Sequence, residues 1–182
     1  MLRQSVVPKG GITVNEPLEI ERKWLIEYPN IKELSKMEDY DYTEIWQTYT
    51  DYVEHNAFGR IRKRGKKGEY TYTKTFKRRI SDLTRVEYEE EITKAEYDKI
   101  MEYRKKGYNT INKVRHTFMY KGFKYEVDVF PFWSDRAFLE CEVDSEDTEI
   151  PIPSCVRIIK EVSFDSRYKN SALAQKITTE KL

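Results

Sequence analysis

The amino-acid sequence predicts a β-dominated α+β fold, in which an antiparallel sheet closes into an eight-stranded barrel with a few flanking helices. Aromatic residues typical of strands are abundant, with three Trp, fourteen Tyr and eight Phe among 182 residues. Roughly eight or nine segments show strand periodicity, and few helical patterns lie between them. No linker or repeat divides these segments. We therefore expect one domain over residues 18–182, preceded by a lead-in of residues 1–17 that contains Pro and Gly.

The first predicted strand begins at Leu18 and has one apolar and one charged face. Glu19, Glu21 and Lys23 project from the same side, because successive side chains of a strand alternate between faces. Two carboxylates this close repel each other unless a cation lies between them, and the lysine beside them suits an anionic ligand. Such a charged face is more often only the solvated side of a sheet, so this strand alone does not decide the chemistry.

A short helix is predicted next, at Ile31–Tyr40, and a second strand at Tyr42–Val53, which is rich in Thr, Tyr, Ile and Trp. The third and fourth strands, Arg60–Arg64 and Tyr70–Lys77, flank the glycine-containing segment Gly65–Gly68. Glycine at both ends of that segment indicates a turn. The two strands therefore form a predicted hairpin.

Arg85–Ile92 is the fifth predicted strand, and a helix follows over Lys94–Lys106. Thr93 and Glu96 have the spacing of a capping box, which marks the start of a helix. Gly107 marks its end.

The second half of the chain begins with another predicted hairpin, Asn112–Tyr120 and Phe123–Phe130, around Lys121-Gly122. The last predicted elements are two strands and a short helix, at Ala137–Val143, Val156–Ser163 and Ser171–Ile177.

The alternating charges of the first strand recur in five further strands. Each carries charged residues at alternate positions with apolar residues between them: Arg60/Arg62, Arg85/Glu87/Glu89, Lys113/Arg115, Glu126/Asp128 and Glu140/Glu142. The spacing allows these faces to point inward or outward. Acidic and basic pairs lie mostly on different strands, however, whereas surfaces that serve solubility intersperse the two signs. This segregation favours a charged interior.

A charged interior requires counterions, because buried like charges are costly when they are not compensated. A divalent metal ion bound by carboxylates and a polyphosphate bound by Arg and Lys would compensate both sets. Carboxylate oxygens without His or Cys favour Mg²⁺ or Mn²⁺ over zinc, and Arg offers bidentate contacts to phosphate.

Composition argues against several other classes of protein. Two Cys and two isolated His are too few for a disulfide framework or a structural zinc site. No run of about eighteen apolar residues predicts a membrane span, so we expect no membrane association and a cytoplasmic location. The net charge of +1 says little about partners. No spaced aromatic and basic motif predicts a nucleic-acid partner.

These residues resemble the motifs of the CYTH superfamily, the triphosphate tunnel metalloenzymes, whose first strand carries E-x-E-x-K as residues 19–23 do here. The resemblance continues in order along the chain through Arg60-Ile61-Arg62, Thr75-Phe76-Lys77, Arg85-Val86-Glu87-Tyr88-Glu89, Lys113-Val114-Arg115, Glu126-Val127-Asp128, Glu140-Cys141-Glu142 and Glu161-Val162-Ser163. Lys74 competes with Lys77 for the lysine of the T-x-K motif. We prefer Lys77 because it shares a face with Thr73 and Thr75.

The resemblance implies an eight-stranded antiparallel β tunnel and a divalent-metal-dependent triphosphatase that uses Mg²⁺ or Mn²⁺. By the same resemblance, the metal ligands would be Glu19, Glu21, Asp128, Glu140 and Glu142. The groups that bind the triphosphate would be Lys23, Arg60, Arg62, Lys77, Arg85, Lys113 and Arg115. The candidate catalytic residues would be Glu19, Glu21, Lys23 and Glu142.

Inorganic tripolyphosphate is the expected small-molecule substrate, because the chain shows no appended nucleoside-binding domain. Thiamine triphosphatase, nucleoside triphosphatase and class IV-type adenylyl cyclase activities stay open as alternatives. So does a module that binds polyphosphate or a nucleotide without turnover. Formation of a homodimer is also left open.

Overall fold

A computed structural model describes residues 18–55, 57–81 and 84–180, with the backbone alone at residues 18, 19, 84 and 85. The predicted lead-in of residues 1–17 lies outside these residues. The strands are β1 (Leu18–Glu27), β2 (Glu38–Glu54), β3 (Ala57–Lys66), β4 (Glu69–Arg79), β5 (Thr84–Ile92), β6 (Ile111–Tyr120), β7 (Phe123–Val129), β8 (Arg136–Glu142) and β9 (Ile158–Glu161). The helices are α1 (Ile31–Leu34), α2 (Lys94–Met101) and α3 (Asn170–Gln175), with a 3-10 turn at Ser166–Tyr168.

The nine strands form one antiparallel sheet in the order β5-β4-β3-β2-β6-β7-β8-β1-β9. The predicted β-dominated α+β class is confirmed, with nine strands in the sheet rather than eight. One edge of β1 pairs with β8 over seven residue pairs. Its other edge is shared between β5, over three residue pairs, and β9. Closure of the sheet into a barrel stays a prediction, because in the described part of the chain only this short β1–β5 ladder joins the two sides.

Two apolar clusters lie on opposite faces of the same strands. Trp24 of β1 and Leu139 of β8 belong to the first cluster, which α1 covers through Leu34. Leu25 and Phe138 point to the other face and pack with the C-terminal residues that include α3. We call this second face the charged face, because the rest of it carries the alternating charges described below.

Both predicted hairpins form, and each turns at a Lys-Gly pair. Lys67 and Gly68 have φ angles of 55° and 92°, and Lys121-Gly122 has 48° and 81°. Two central residues with positive φ characterise the type I′ turn, whose twist matches that of paired strands. The predicted turn Gly65–Gly68 was too long, since Gly65 lies inside β3. A Cβ at Gly65 would lie 1.9 Å from the carbonyl oxygen of Glu69, so close strand approach requires glycine there.

The first two predicted helices are shorter in the structure than in the prediction. The helix predicted at Ile31–Tyr40 ends at Leu34, and β2 begins at Glu38, which pairs with β6. The helix predicted at Lys94–Lys106 starts with the predicted capping box but ends at Met101. Beyond it, the backbone pairs with the end of β2: Lys105 donates to the carbonyl of Tyr49, and Arg104 forms a bridge with Thr50.

Candidate active site

Strand pairing brings the alternating charges of four strands together on the charged face. Lys23 of β1 lies opposite Glu140 of β8, and Glu140 lies opposite Glu126 of β7. Asp128 of β7 in turn lies opposite Arg115 of β6. Because each of these strands alternates apolar and charged residues, their charged side chains converge once the register is set.

These side chains form a continuous network of ion pairs. Arg115 donates to both oxygens of Asp128 at 2.7 Å and to Glu140 at 2.6 Å. The ammonium of Lys23 lies 2.8 Å from Glu140, and that of Lys113 contacts Asp128. The side chains of Lys113 and Asp128 are 0% exposed. We call this group the buried network: Lys23, Lys113, Arg115, Glu126, Asp128 and Glu140.

The buried network keeps the carboxylates of Asp128 and Glu140 ionised. Burial raises the pKa of Asp128, but Arg115 and Lys113 outweigh it, so this pKa lies below its ordinary value. Burial also raises the pKa of Glu140, but Lys23 and Arg115 outweigh this effect, so the pKa lies well below its usual range. The pKa of Lys113 falls to about 8, because burial and the cation of Arg115 exceed the attraction of the two carboxylates. Asp128, Glu140 and Lys113 are therefore charged at neutral pH.

A second network lies on β3, β4 and β5. Arg62 and Arg64 each lie 3.2 Å from Glu89, to which the hydroxyl of Thr75 donates at 3.0 Å. Glu87 accepts from Arg60 at 3.3 Å and from Lys77 at 2.5 Å. We call this group the arginine network: Arg60, Arg62, Arg64, Lys77, Glu87 and Glu89.

The structure places Lys74 and Lys77 on opposite faces of β4, and the preference for Lys77 as the site lysine stays a prediction. Lys74 lies on the opposite face of β4, where its ammonium contacts Glu54 at 2.9 Å and Glu90 at 3.1 Å. Lys77 lies on the charged face with Glu87.

Arg62 has a partner that the sequence motifs did not identify. Its Nε donates to Oε1 of Gln47 at 3.0 Å, and Nε2 of Gln47 donates to the hydroxyl of Tyr49 at 2.8 Å. Gln47 lies opposite Arg62 in the β2–β3 ladder. The signal available in the sequence was an uncharged amide on β2 among Thr, Tyr and Ile.

Within the described residues, Nε of Arg60 and the hydroxyl of Thr73 are buried without a hydrogen-bond partner.

Carboxylates also gather where β1 and β8 meet. Glu21 lies directly opposite Glu142. Partial burial raises the pKa of Glu142, and the nearby carboxylates of Glu126, Glu87 and Glu21 raise it further. Carboxylates that repel one another in this way are the usual setting for a bound cation.

The predicted metal site stays a prediction. Across residues 18–55, 57–81 and 84–180, no three acidic, His or Cys side chains converge closely enough, as they stand, to hold a metal ion. The side chains of Glu19 and Arg85 lie outside the described residues. Asp128 and Glu140, two of the predicted ligands, accept from cations of the buried network. The oxygen-only donor set still suits a hard cation.

Strand β1, which carries the E-x-E-x-K motif, is held by contacts on the face opposite the charged face and by the segment that follows β9. The amide of Lys23 donates to the hydroxyl of Ser163 at 2.8 Å, and Arg22 pairs with Glu161 at 2.5 Å. The ammonium of Lys23 also lies 3.8 Å from the ring centroid of Phe138, where the charged face meets the apolar cluster. Lys23 is thus fixed by its backbone, a carboxylate and an aromatic ring.

Fold and site together define a β-dominated protein with charged side chains assembled on one face of an antiparallel sheet. The chain belongs to the CYTH domain family, whose sequence model matches residues 17–153. A curated inorganic triphosphatase of Acetivibrio thermocellus is 30% identical over 157 residues, which cover 86% of this chain and 93% of the relative.

Solved structures agree with this membership. The crystal structure of the inorganic triphosphatase NE1496 matches with a TM-score of 0.51 and 28% identity, over 87% of this chain and 95% of the other. The PH1819 protein of Pyrococcus horikoshii matches with a TM-score of 0.50 and 20% identity, over 71% and 80% of the chains. The second similarity concerns the fold alone. Among the helices of the described residues, none has the length and apolar character to cross a membrane.

Proposed function

We propose that this CYTH protein is a divalent-metal-dependent triphosphatase that hydrolyses inorganic tripolyphosphate. The observation that carries the proposal is the assembly of seven basic side chains with carboxylates on one face of the sheet, in the two networks described above. The similarity to curated inorganic triphosphatases supports the choice of substrate.

The charged face would line a closed tunnel. The β1–β5 ladder supports closure, because it joins strands at opposite sides of the sheet order. Electrostatic coupling supports it too: Glu87 of β5 is near enough to Glu142 of β8 to raise its pKa. In such a tunnel the substrate would be surrounded by both networks and shielded from bulk water, which strengthens electrostatic interactions.

The two networks would exchange partners when substrate binds. In the structure, cations of the charged face pair with its carboxylates. A triphosphate and a divalent cation would bring both signs, so the basic groups would pair with phosphate oxygens and the carboxylates would hold the cation. Arg60, Arg62 and Arg115 would hold and orient the phosphate chain through bidentate contacts, and Lys23, Lys77 and Lys113 would act as point charges. Arg85 is assigned to this set from its motif.

Mg²⁺ or Mn²⁺ would be held by Glu19, Glu21, Asp128, Glu140 and Glu142. When bound, such an ion neutralises phosphate charge and promotes attack by water. Of these five, Glu21 and Glu142 have the clearest support, because the carboxylates around Glu142 raise its pKa. A cytoplasmic location is also proposed, in line with the free thiols of Cys141 and Cys155.

Product analysis tests this function. Purified protein is incubated with Mg²⁺ or Mn²⁺ and, separately, with tripolyphosphate and with ATP. We expect phosphate release from tripolyphosphate that Glu21→Gln abolishes, while the surface control Glu33→Gln, on α1 beside Lys36, leaves it unchanged. Cyclic AMP and pyrophosphate from ATP would instead establish a cyclase. Binding without turnover of any triphosphate would contradict the enzyme assignment.

A further inference from the structure

We propose that Gln47 is a positioning residue that sets the affinity of the site for its anion, because its neutral amide aligns Arg62 without neutralising it. The inference rests on the proposed function, and it assigns a role to a residue outside the charged motifs. It predicts that the amide, rather than a carboxylate, is needed at this position.

The geometry fixes the orientation of the amide. Gln47 is 0% exposed and lies opposite Arg62 on the charged face. A guanidinium can only donate hydrogen bonds, so the atom that receives Nε of Arg62 at 3.0 Å must be the amide oxygen. The amide nitrogen then donates to Tyr49 at 2.8 Å. Arg62 is thereby held at its Nε while its outer nitrogens stay directed at other groups.

Arg62 is poorly compensated for a buried cation. Its Nη1 lies 3.2 Å from Glu89, but Glu89 is shared with Arg64 at the same distance. Burial, followed by the nearby cations of Arg60 and Arg115, lowers the pKa of Arg62 to about 10. An anionic ligand would therefore gain more from Arg62 than from a guanidinium that is already neutralised.

Arg115 shows the alternative that the same sheet provides. It contacts three carboxylates, Glu126, Asp128 and Glu140. A glutamate at position 47 would have almost the same size as glutamine and would give Arg62 a second carboxylate. That change would favour the ligand-free protein and would compete with phosphate for the guanidinium. The neutral side chain of Gln47 thus leaves Arg62 available to an anionic ligand, although the charge of Arg62 is then less well compensated in the free protein.

Two variants separate charge from alignment. Gln47→Glu adds the carboxylate, and Gln47→Met removes the hydrogen bonds without adding charge. For Gln47→Glu we expect a rise in KM for tripolyphosphate of about tenfold or more, with kcat changed less and with Tm equal to or above that of the wild type. For Gln47→Met we expect a smaller rise in KM and a lower Tm. Gln175→Glu, the same exchange at an exposed position on α3, should leave KM unchanged.

Three results would overturn the inference. The first is a KM for Gln47→Glu within about twofold of wild type. The second is an equal rise in KM for the Glu and Met variants, which would make alignment the whole effect. The third is a loss of folding in Gln47→Glu, because we expect the carboxylate to stabilise Arg62. If Gln47 had only a structural role, both variants would have a lower Tm, and any rise in KM would accompany that loss of stability.

Calorimetric binding of tripolyphosphate in the presence of EDTA distinguishes this inference from the proposed function. If the wild type binds tripolyphosphate but releases no phosphate with any metal, the hydrolase assignment fails and the Gln47 inference is still decided by affinity. If hydrolysis occurs and Gln47→Glu binds as tightly as wild type, the inference fails alone. We expect hydrolysis by the wild type and weaker binding by Gln47→Glu.

Discussion

The buried network and the arginine network balance charge differently. Within the described side chains, the buried network has three cations and three carboxylates. The arginine network has four cations, which pair with Glu87 and Glu89 among the described side chains. The buried network, as defined by its six residues, is therefore neutral, whereas the six residues of the arginine network include two more cations than carboxylates.

This difference suggests separate tasks for two regions with similar residues. A neutral cluster whose centre is fully buried is costly to disturb, since removing one partner leaves an uncompensated charge in a region of low dielectric constant. A cluster with an excess of cations can accept an anion with little loss of internal pairing. We therefore expect stability to depend mainly on the buried network and affinity mainly on the arginine network.

The largest effect on stability is expected for Lys113→Met. It removes a cation that contacts Asp128, where both side chains are 0% exposed. Loss of one partner of a buried pair costs about 3–5 kcal/mol, and we expect about 3 kcal/mol because Arg115 still contacts Asp128. Urea unfolding measures this loss in the free energy of unfolding. The control Lys124→Met removes an exposed ammonium 3.8 Å from Glu126 and should cost less than about 0.5 kcal/mol. Equal costs for the two variants would contradict the comparison.

Arg62→Met, in contrast to Lys113→Met, should weaken substrate binding strongly and lower stability only slightly. A charge-assisted hydrogen bond contributes about 1.5–3 kcal/mol, so loss of one phosphate contact should raise KM for tripolyphosphate about 10- to 100-fold. The free energy of unfolding should fall by only about 1 kcal/mol, because Glu89 keeps Arg64 and Thr75. Steady-state kinetics and urea unfolding provide the two values. A destabilisation as large as that of Lys113→Met would remove the distinction between the networks.

The smallest expected effect compares two threonines of β4. The hydroxyl of Thr75 donates to Glu89 at 3.0 Å, whereas the described residues offer the buried hydroxyl of Thr73 no partner. Thr75→Val should cost about 1 kcal/mol of stability, and Thr73→Val should be neutral or stabilising. Thermal unfolding of the two variants tests whether Thr75→Val is the less stable one. A larger loss for Thr73→Val would show that its hydroxyl has a structural partner.

Sequence periodicity predicted the charged face well because strands have a strict period of two. It placed Lys77 on the charged face and Lys74 on the other, although Lys74 directly follows Thr73 and Lys77 lies two residues after Thr75. It also identified both hairpins and the capping box at Thr93. These features are local, and they need no knowledge of which strands become neighbours.

Features that depend on distant pairing were missed. The predicted helix beyond Met101 is lost because residues 103–105 pair with β2, which lies about fifty positions earlier in the chain. The contact of Gln47 with Arg62 was not predicted, since it depends on the two residues lying opposite each other in the β2–β3 ladder. The proposed metal ligands stay a prediction as a set, because the ion pairs of Asp128 and Glu140 form only once β6, β7, β8 and β1 are adjacent.

The two Lys-Gly turns have a consequence for how such a chain can change during evolution. Each turn consists of two residues, and its length sets Arg62 opposite Thr73 and Arg115 opposite Asp128. One inserted or deleted residue in a turn would shift the register by one and move every side chain of a strand to the other face. A length change at Lys67-Gly68 would therefore remove several charges from the site at once. Conservation of turn length should accordingly be as strict as conservation of the charged residues.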